Sequence, residues 1–111
     1  MVIITPVFLK YIAGKNVRAM ALFPFILVKN REIKESIETI NHEKIHWKQQ
    51  IEMLLILFYL LYFAFYVYYR LRGMNHFNAY MSIPFEKEAY RNQDNLFYRL
   101  NRPFWAWLKY L

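Results

Sequence analysis

The chain has 111 residues, enough for one modest hydrophobic core and no separate regulatory domain. With no Cys it cannot form disulfides, hold zinc through thiolates or use a thiol nucleophile, so any metal must rest on His and carboxylate. A net charge of +7 beside 58% hydrophobic and 21% aromatic residues suits an anionic membrane surface or nucleic acid, but the basic residues are scattered and carry no nucleic-acid-binding signature.

Residues 2–9 form an apolar run with no basic region ahead of it and with Pro6 inside it, so a cleaved signal peptide is not expected. Residues 10–18, with Gly14, Lys15 and Asn16, read as a turn-bearing connection. Residues 19–28 are apolar and rich in strand formers, and Pro24, which cannot donate to a ladder, predicts a strand with an exposed or bulged edge. Asn30 is a fair N-cap for a helix starting at Arg31. On its wheel Ile33, Ile37, Ile40, Trp47, Ile51 and Leu54 fall within about 60°, which predicts the core-facing side.

Residues 53–69 carry no charge. As a helix they would be about 26 Å long, at the short limit for a bilayer span, although Tyr59, Tyr62, Tyr66 and Tyr69 line one face and equally suit a buried or interfacial helix. Residues 74–83 read as a loop. Pro84 suits the first turn of another helix reaching about Leu100, and the aromatic tail 101–111 suits a membrane interface or packing against the long helix. The expected fold is therefore a single α+β domain, predominantly helical: a strand region 1–30, a long helical segment 31–72, a second helix 84–100 and the tail.

Within the long helix, His42-Glu43-Lys44-Ile45-His46 is an H-E-x-x-H motif in a stretch without Gly or Pro. Two histidines four apart stand one turn above each other, so both imidazoles reach one zinc ion while Glu43 sits beside it as a candidate general base. On the wheel His42, His46, Gln49 and Met53 lie opposite the apolar stripe, which predicts a cleft site. A zinc site needs a third protein ligand. Glu86 and Glu88 stand about 200° apart on a helix, so they cannot both face one ion. Glu88 shares a strip with Asn92 and Asn95, which would be outer partners.

The combination H-E-x-x-H-x-x-Q-Q over 42–50 and P-F-E-x-E-A-Y over 84–90 resembles the small bacterial zincins of the gluzincin type, across roughly residues 22–111. The resemblance implies a minimal zincin-like domain in which His42, His46 and Glu88 bind zinc, Glu43 is the catalytic base, and residues 22–28 form the strand before the active-site helix. The long aromatic segment between the motif halves departs from ordinary soluble zincins.

A simple bilayer span by residues 53–69 is incompatible with a His42/His46/Glu88 site, because an irregular lipid-exposed return would leave backbone groups unsatisfied. The favoured arrangement keeps both motif halves on one side, with the aromatic segment partly buried and partly in the interface. The expected activity is zinc-assisted hydrolysis of peptide amide bonds at a membrane surface. Edge pairing along residues 22–28 would align an extended substrate, and His76, Tyr80 and Tyr90 are the available oxyanion donors. Two other readings stay open: a non-catalytic structural zinc protein, and a small basic membrane protein with an incidental motif.

Overall fold

The computed structural model describes residues 1–14 and 17–111. The expected connection at Lys15 and Asn16 lies outside the described residues. The first apolar run divides at Pro6: β1 (Val2–Ile4) precedes it, and Pro6 itself opens α1 (Pro6–Ala13), where its missing N–H costs nothing. Lys10 thus belongs to a helix, which ends before Gly14 at φ 99°.

The single strand expected over 19–28 is a hairpin. Pro24 breaks the run into β2 (Ala19–Leu22) and β3 (Phe25–Val28), which pair antiparallel with Ala21 opposite Ile26. β1 joins parallel to β3 on its other side, giving the order β1-β3-β2 with Val2 opposite Ile26.

The long helical segment is three helices. Asn30 caps α2 (Arg31–Lys34) by accepting from the Ile33 N–H at 2.9 Å. After one turn Ser36 caps a new helix, α3 (Ile37–Glu52), accepting from the Thr39 N–H at 3.3 Å. α3 stops at residues 53–55, where Leu54 and Leu55 have φ of 53° and 63°, a left-handed turn few L-residues adopt. α4 (Ile56–Leu71) leaves at 112° to α3. Among the described residues no single helix is long and apolar enough to cross a membrane.

The expected loop at 74–83 is mostly α5 (His76–Ser82), capped by Asn75, whose side chain accepts from the Asn78 N–H at 2.8 Å. Pro84 opens α6 (Pro84–Asn92) as expected, but that helix ends well before Leu100, and a separate turn, α7 (Tyr98–Asn101), follows. The tail winds into a 3-10 turn over Ala106–Tyr110. The fold is α+β and predominantly helical.

Among the described residues two apolar clusters hold it. Ile26 and Val28 of the sheet pack on Ile33, with Trp47 of α3 donating its indole N–H to the Phe25 carbonyl at 2.9 Å. Met53, Phe58, Ile83, Phe85 and Trp107 form the other, joining α4 to α6 and the tail. The expected core-facing stripe holds in part: Ile33 is buried and Ile40 and Trp47 pack against the sheet cluster, but the rest of it faces outward and the opposite face of α3 is also buried. Ile37, Ile51 and Leu54 are exposed, Leu54 at 84%, whereas Asn41, His42, Ile45, His46, Gln49, Gln50 and Met53 are buried. The histidine-bearing face is buried as well because its polar groups are hydrogen-bonded there, which removes most of the penalty for burying them.

Candidate metal centre

α3 carries His42 and His46 one turn apart on its buried face, with ring centroids 4.9 Å apart in an edge-to-face arrangement. Opposite them the first turn of α6 presents Glu86. Its Oε1 lies 3.1 Å from His42 Nε2 and 3.1 Å from His46 Nε2. Ligand-capable atoms of the three residues fall within 4.8 Å of one another. The side chains are closed in: His42, His46 and Glu86 are 4–5% exposed and Glu43 is 7% exposed.

The outer nitrogens of both imidazoles are fixed by glutamines. His46 Nδ1 meets Gln49 Oε1 at 2.6 Å, and the Gln49 amide cannot turn over, because its Nε2 donates to the Phe85 carbonyl at 3.1 Å and to Glu88 Oε1 at 2.8 Å. His42 Nδ1 meets Gln93 Oε1 at 2.8 Å. With Nδ1–H of His46 donating to Gln49, its Nε2 and the Glu86 carboxylate approach as two acceptors, which requires a proton or a cation between them. The set fits a zinc ion: two imidazole nitrogens and one carboxylate, each already oriented by a hydrogen bond.

Without a metal, a proton on His46 fills that need. Burial pushes the His46 imidazole down, but Glu86 and Glu43 beside it and the Gln49 acceptor together lift it to about 9. Burial raises Glu86, yet the two imidazoles outweigh it and hold this carboxyl well below the usual range. Glu43 is raised, mainly by burial, with the imidazoles and the Ala21 backbone amide opposing the shift. Around Glu86, the Tyr62 hydroxyl donates to Oε2 at 2.6 Å and that of Tyr80 to Oε1 at 3.3 Å, while Tyr80 and Tyr90 hydroxyls meet at 2.7 Å. The Tyr90 ring packs edge-on against His42, centroids 4.3 Å apart. Burial raises all three phenols, so they remain donors at neutral pH.

The third ligand expected from the resemblance, Glu88, does not meet the histidines. It is completely buried on the other side of α6, held by a bidentate pairing with Arg102, a hydrogen bond from the Tyr98 hydroxyl at 2.6 Å, and Gln49 Nε2. Glu86 and Glu88 point to opposite sides of α6, and the one brought to the histidines is Glu86. The signal for it was in the sequence, since Pro84 sets the helix start and Glu86 then falls in the first turn, next to the entering chain.

Of the other expected participants, His76 pairs with the Tyr66 hydroxyl at 2.9 Å at an exposed position outside the cluster. Asn92 and Asn95 do not brace a ligand; with Gln93 their backbone carbonyls accept from Asn41 Nδ2, tying the end of α6 to α3. Nor is the strand edge free. β3 is central, and on the outer edge of β2 the Ala21 carbonyl accepts from Gln50 Nε2 at 3.0 Å and the Tyr59 hydroxyl at 2.6 Å, while the Phe23 N–H donates to Gln50 Oε1 at 2.9 Å. The side-chain amide of Gln50 takes the place an added strand would occupy at 21–23. Gln49 lies on the histidine face as expected and bonds His46 within α3, whereas Gln93, Tyr62 and Arg102 act through contacts between elements distant in sequence, which local patterns do not announce.

No protein-family model matches the sequence, and neither the curated proteins nor the solved structures include a match to it.

Proposed function

We propose that this protein is a zinc-dependent hydrolase of amide bonds, a minimal zincin-like domain in which His42, His46 and Glu86 hold the metal and Glu43 is the general base. The observation that carries this reading is the convergence of both imidazole Nε2 atoms on one Glu86 oxygen, with both Nδ1 positions fixed by glutamine carbonyls. A bound zinc would supply Lewis acidity, bringing a water's pKa toward neutrality and polarising a carbonyl.

The chain's own residues do the rest. Glu43, with its carboxyl raised by burial, accepts a proton nearer neutral pH than an ordinary glutamate and returns it to the leaving amine. Tyr80 and Tyr90, kept protonated, are the donors for a developing oxyanion. A peptide as substrate follows from the resemblance to zincins, since the strand edge at 21–23 is already capped.

Near-complete enclosure of the cluster favours a second reading, a structural zinc centre that holds α3 to α6. Glu43→Gln separates the two. Retained zinc with cleavage of a peptide library abolished supports the hydrolase; equal inactivity of both proteins with zinc retained supports the structural centre. Metal analysis after purification without chelators showing much less than about one zinc per chain overturns both.

A further inference from the structure

α4 is uncharged from Ile56 to Tyr69, yet the fold covers only one side of it. Its inner face, with Phe58, Tyr62 and Phe65, packs on Phe85 and Trp107. The outer face spans an arc of about 160° at 100° per residue. Along it Ile56, Leu60, Phe63 and Leu71 recur at helical spacing, each between 64% and 83% exposed, and Leu54 in the turn before the helix is exposed too. A helix apolar all round is normally buried all round, so this face is built to be covered.

We infer that α4 lies flat in the interface of an anionic bilayer, with its outer face in the acyl boundary. Two observations select lipid. The stripe runs the full length of a helix of about 24 Å, too short to cross a hydrocarbon core of about 30 Å, so the helix lies in the plane of the interface. Its charge is also one-sided: no acidic residue stands between Glu52 and Glu86, while exposed Lys48 lies before the stripe and Arg70 and Arg72 close it. Arg72 bonds the Tyr68 hydroxyl at 3.0 Å and stacks over its ring, the pairing of aromatic and cation suited to headgroup level. A second copy on the same face would bring basic ends to basic ends. Because Tyr62 on the inner face bonds Glu86, the His42/His46/Glu86 cluster sits about one helix diameter, roughly 10 Å, above the lipid boundary. This inference stands apart from the hydrolase reading.

The test is flotation of the full chain with vesicles of phosphatidylcholine alone or mixed with phosphatidylglycerol. The protein is expected to float with the mixed vesicles and more weakly with the neutral ones. Leu60→Glu with Phe63→Glu should abolish flotation while leaving circular dichroism and the urea midpoint unchanged, since both side chains are exposed. Arg70→Gln and Arg72→Gln should each weaken binding to the mixed vesicles about fivefold, with little effect on the neutral ones. The inference is overturned if the unmodified protein floats with neither vesicle, or if the double glutamate variant floats as well as it does. It is equally overturned if the protein binds no vesicle but forms a dimer that the double variant dissociates, which would assign the face to a second copy.

Discussion

Glu86 and Glu88 are two residues apart and have opposite jobs, which makes them the sharpest single-residue test of the site. Glu86 shares its Oε1 with both imidazoles, whereas Glu88 reaches His46 only through Gln49. Glu86→Gln is expected to weaken zinc binding by more than about a hundredfold, and Glu88→Gln by no more than about ten- to a hundredfold, because the latter acts on His46 through the Gln49 amide and otherwise weakens the Arg102 bridge. Competition against a chromophoric chelator measures both, and the reverse order would return the ligand role to Glu88. A second expectation concerns protons. With His46 lifted to about 9 from an ordinary 6.5, the metal-free protein holds a proton there at pH 7.5, and a metal must displace it. Zinc affinity should therefore rise about tenfold per pH unit up to about 9 and then flatten, and calorimetry in buffers of different ionisation enthalpy should find close to one proton released. The same raised value means that the His46 contribution to metal-free stability is full below about 6.5 and is lost as pH climbs through about 9. The depressed Glu86 contributes above its ordinary 4.5 and loses its share as pH falls below that. Because the raised Glu43 costs stability as pH rises above its ordinary 4.5, urea unfolding of the metal-free protein should be hardest toward the lower end of the range from about 4.5 to 6.5.

At the level of elements, the parts set by local chemistry were readable and the parts set by long-range contact were not. Asn30 as a cap, Pro84 as a helix start and the helical setting of His42 and His46 follow from side-chain oxygens, a missing N–H and periodicity within a few residues. The break at 53–55 has no Gly or Pro to announce it; what stabilises the turn is the burial of Met53 and Phe58 on Phe85 and Trp107, residues far along the chain. The tail is positioned in the same way. Arg102 pairs with Glu88 of α6 and, at 2.9 Å, with Glu52 at the end of α3, and Glu52 also accepts the Trp105 backbone N–H. All three charged side chains of this bridge are at most 3% exposed. Arg102→Ala would leave two buried carboxylates without their cation, and a loss of about 3–5 kcal/mol is expected in urea unfolding. Arg102→Lys should recover only part of it, since an ammonium cannot make the bidentate contact to Glu88. A change below about 1 kcal/mol in the alanine variant would mean that the bridge is solvated and does not anchor the tail.

Across the whole molecule, the apolar residues and the core coincide only in part, and α3 buries its polar face as well as part of its apolar stripe. Ile37 and Ile51 of α3 and Ile56, Leu57, Leu60 and Leu71 of α4 face outward, while His, Glu, Gln and Asn fill the space between the sheet, α3 and α6. A wheel ranks faces by hydrophobicity and cannot see that partners on other elements satisfy a polar face. The two apolar clusters lie on either side of this polar middle, one under the sheet and the other between α4, α6 and the tail. With so small a core, the middle layer must itself hold the halves together. The cluster is placed for that: His42 and His46 come from α3 and Glu86 from α6, with Tyr62 of α4 bonded to Glu86. A metal bound there stabilises the folded state by mass action, about 2.7 kcal/mol when zinc is at about a hundred times its dissociation constant. For a chain of this size that corresponds to a rise in Tm of roughly 10–20 °C. Calorimetry or circular dichroism melts should show this rise on adding zinc and its reversal by a chelator. Glu43→Gln should keep the rise, because Glu43 is no ligand, and Glu86→Gln should abolish it. Melts that ignore both zinc and chelator would mean that the polar layer is held by its hydrogen bonds alone, and that His42, His46 and Glu86 are not a metal centre.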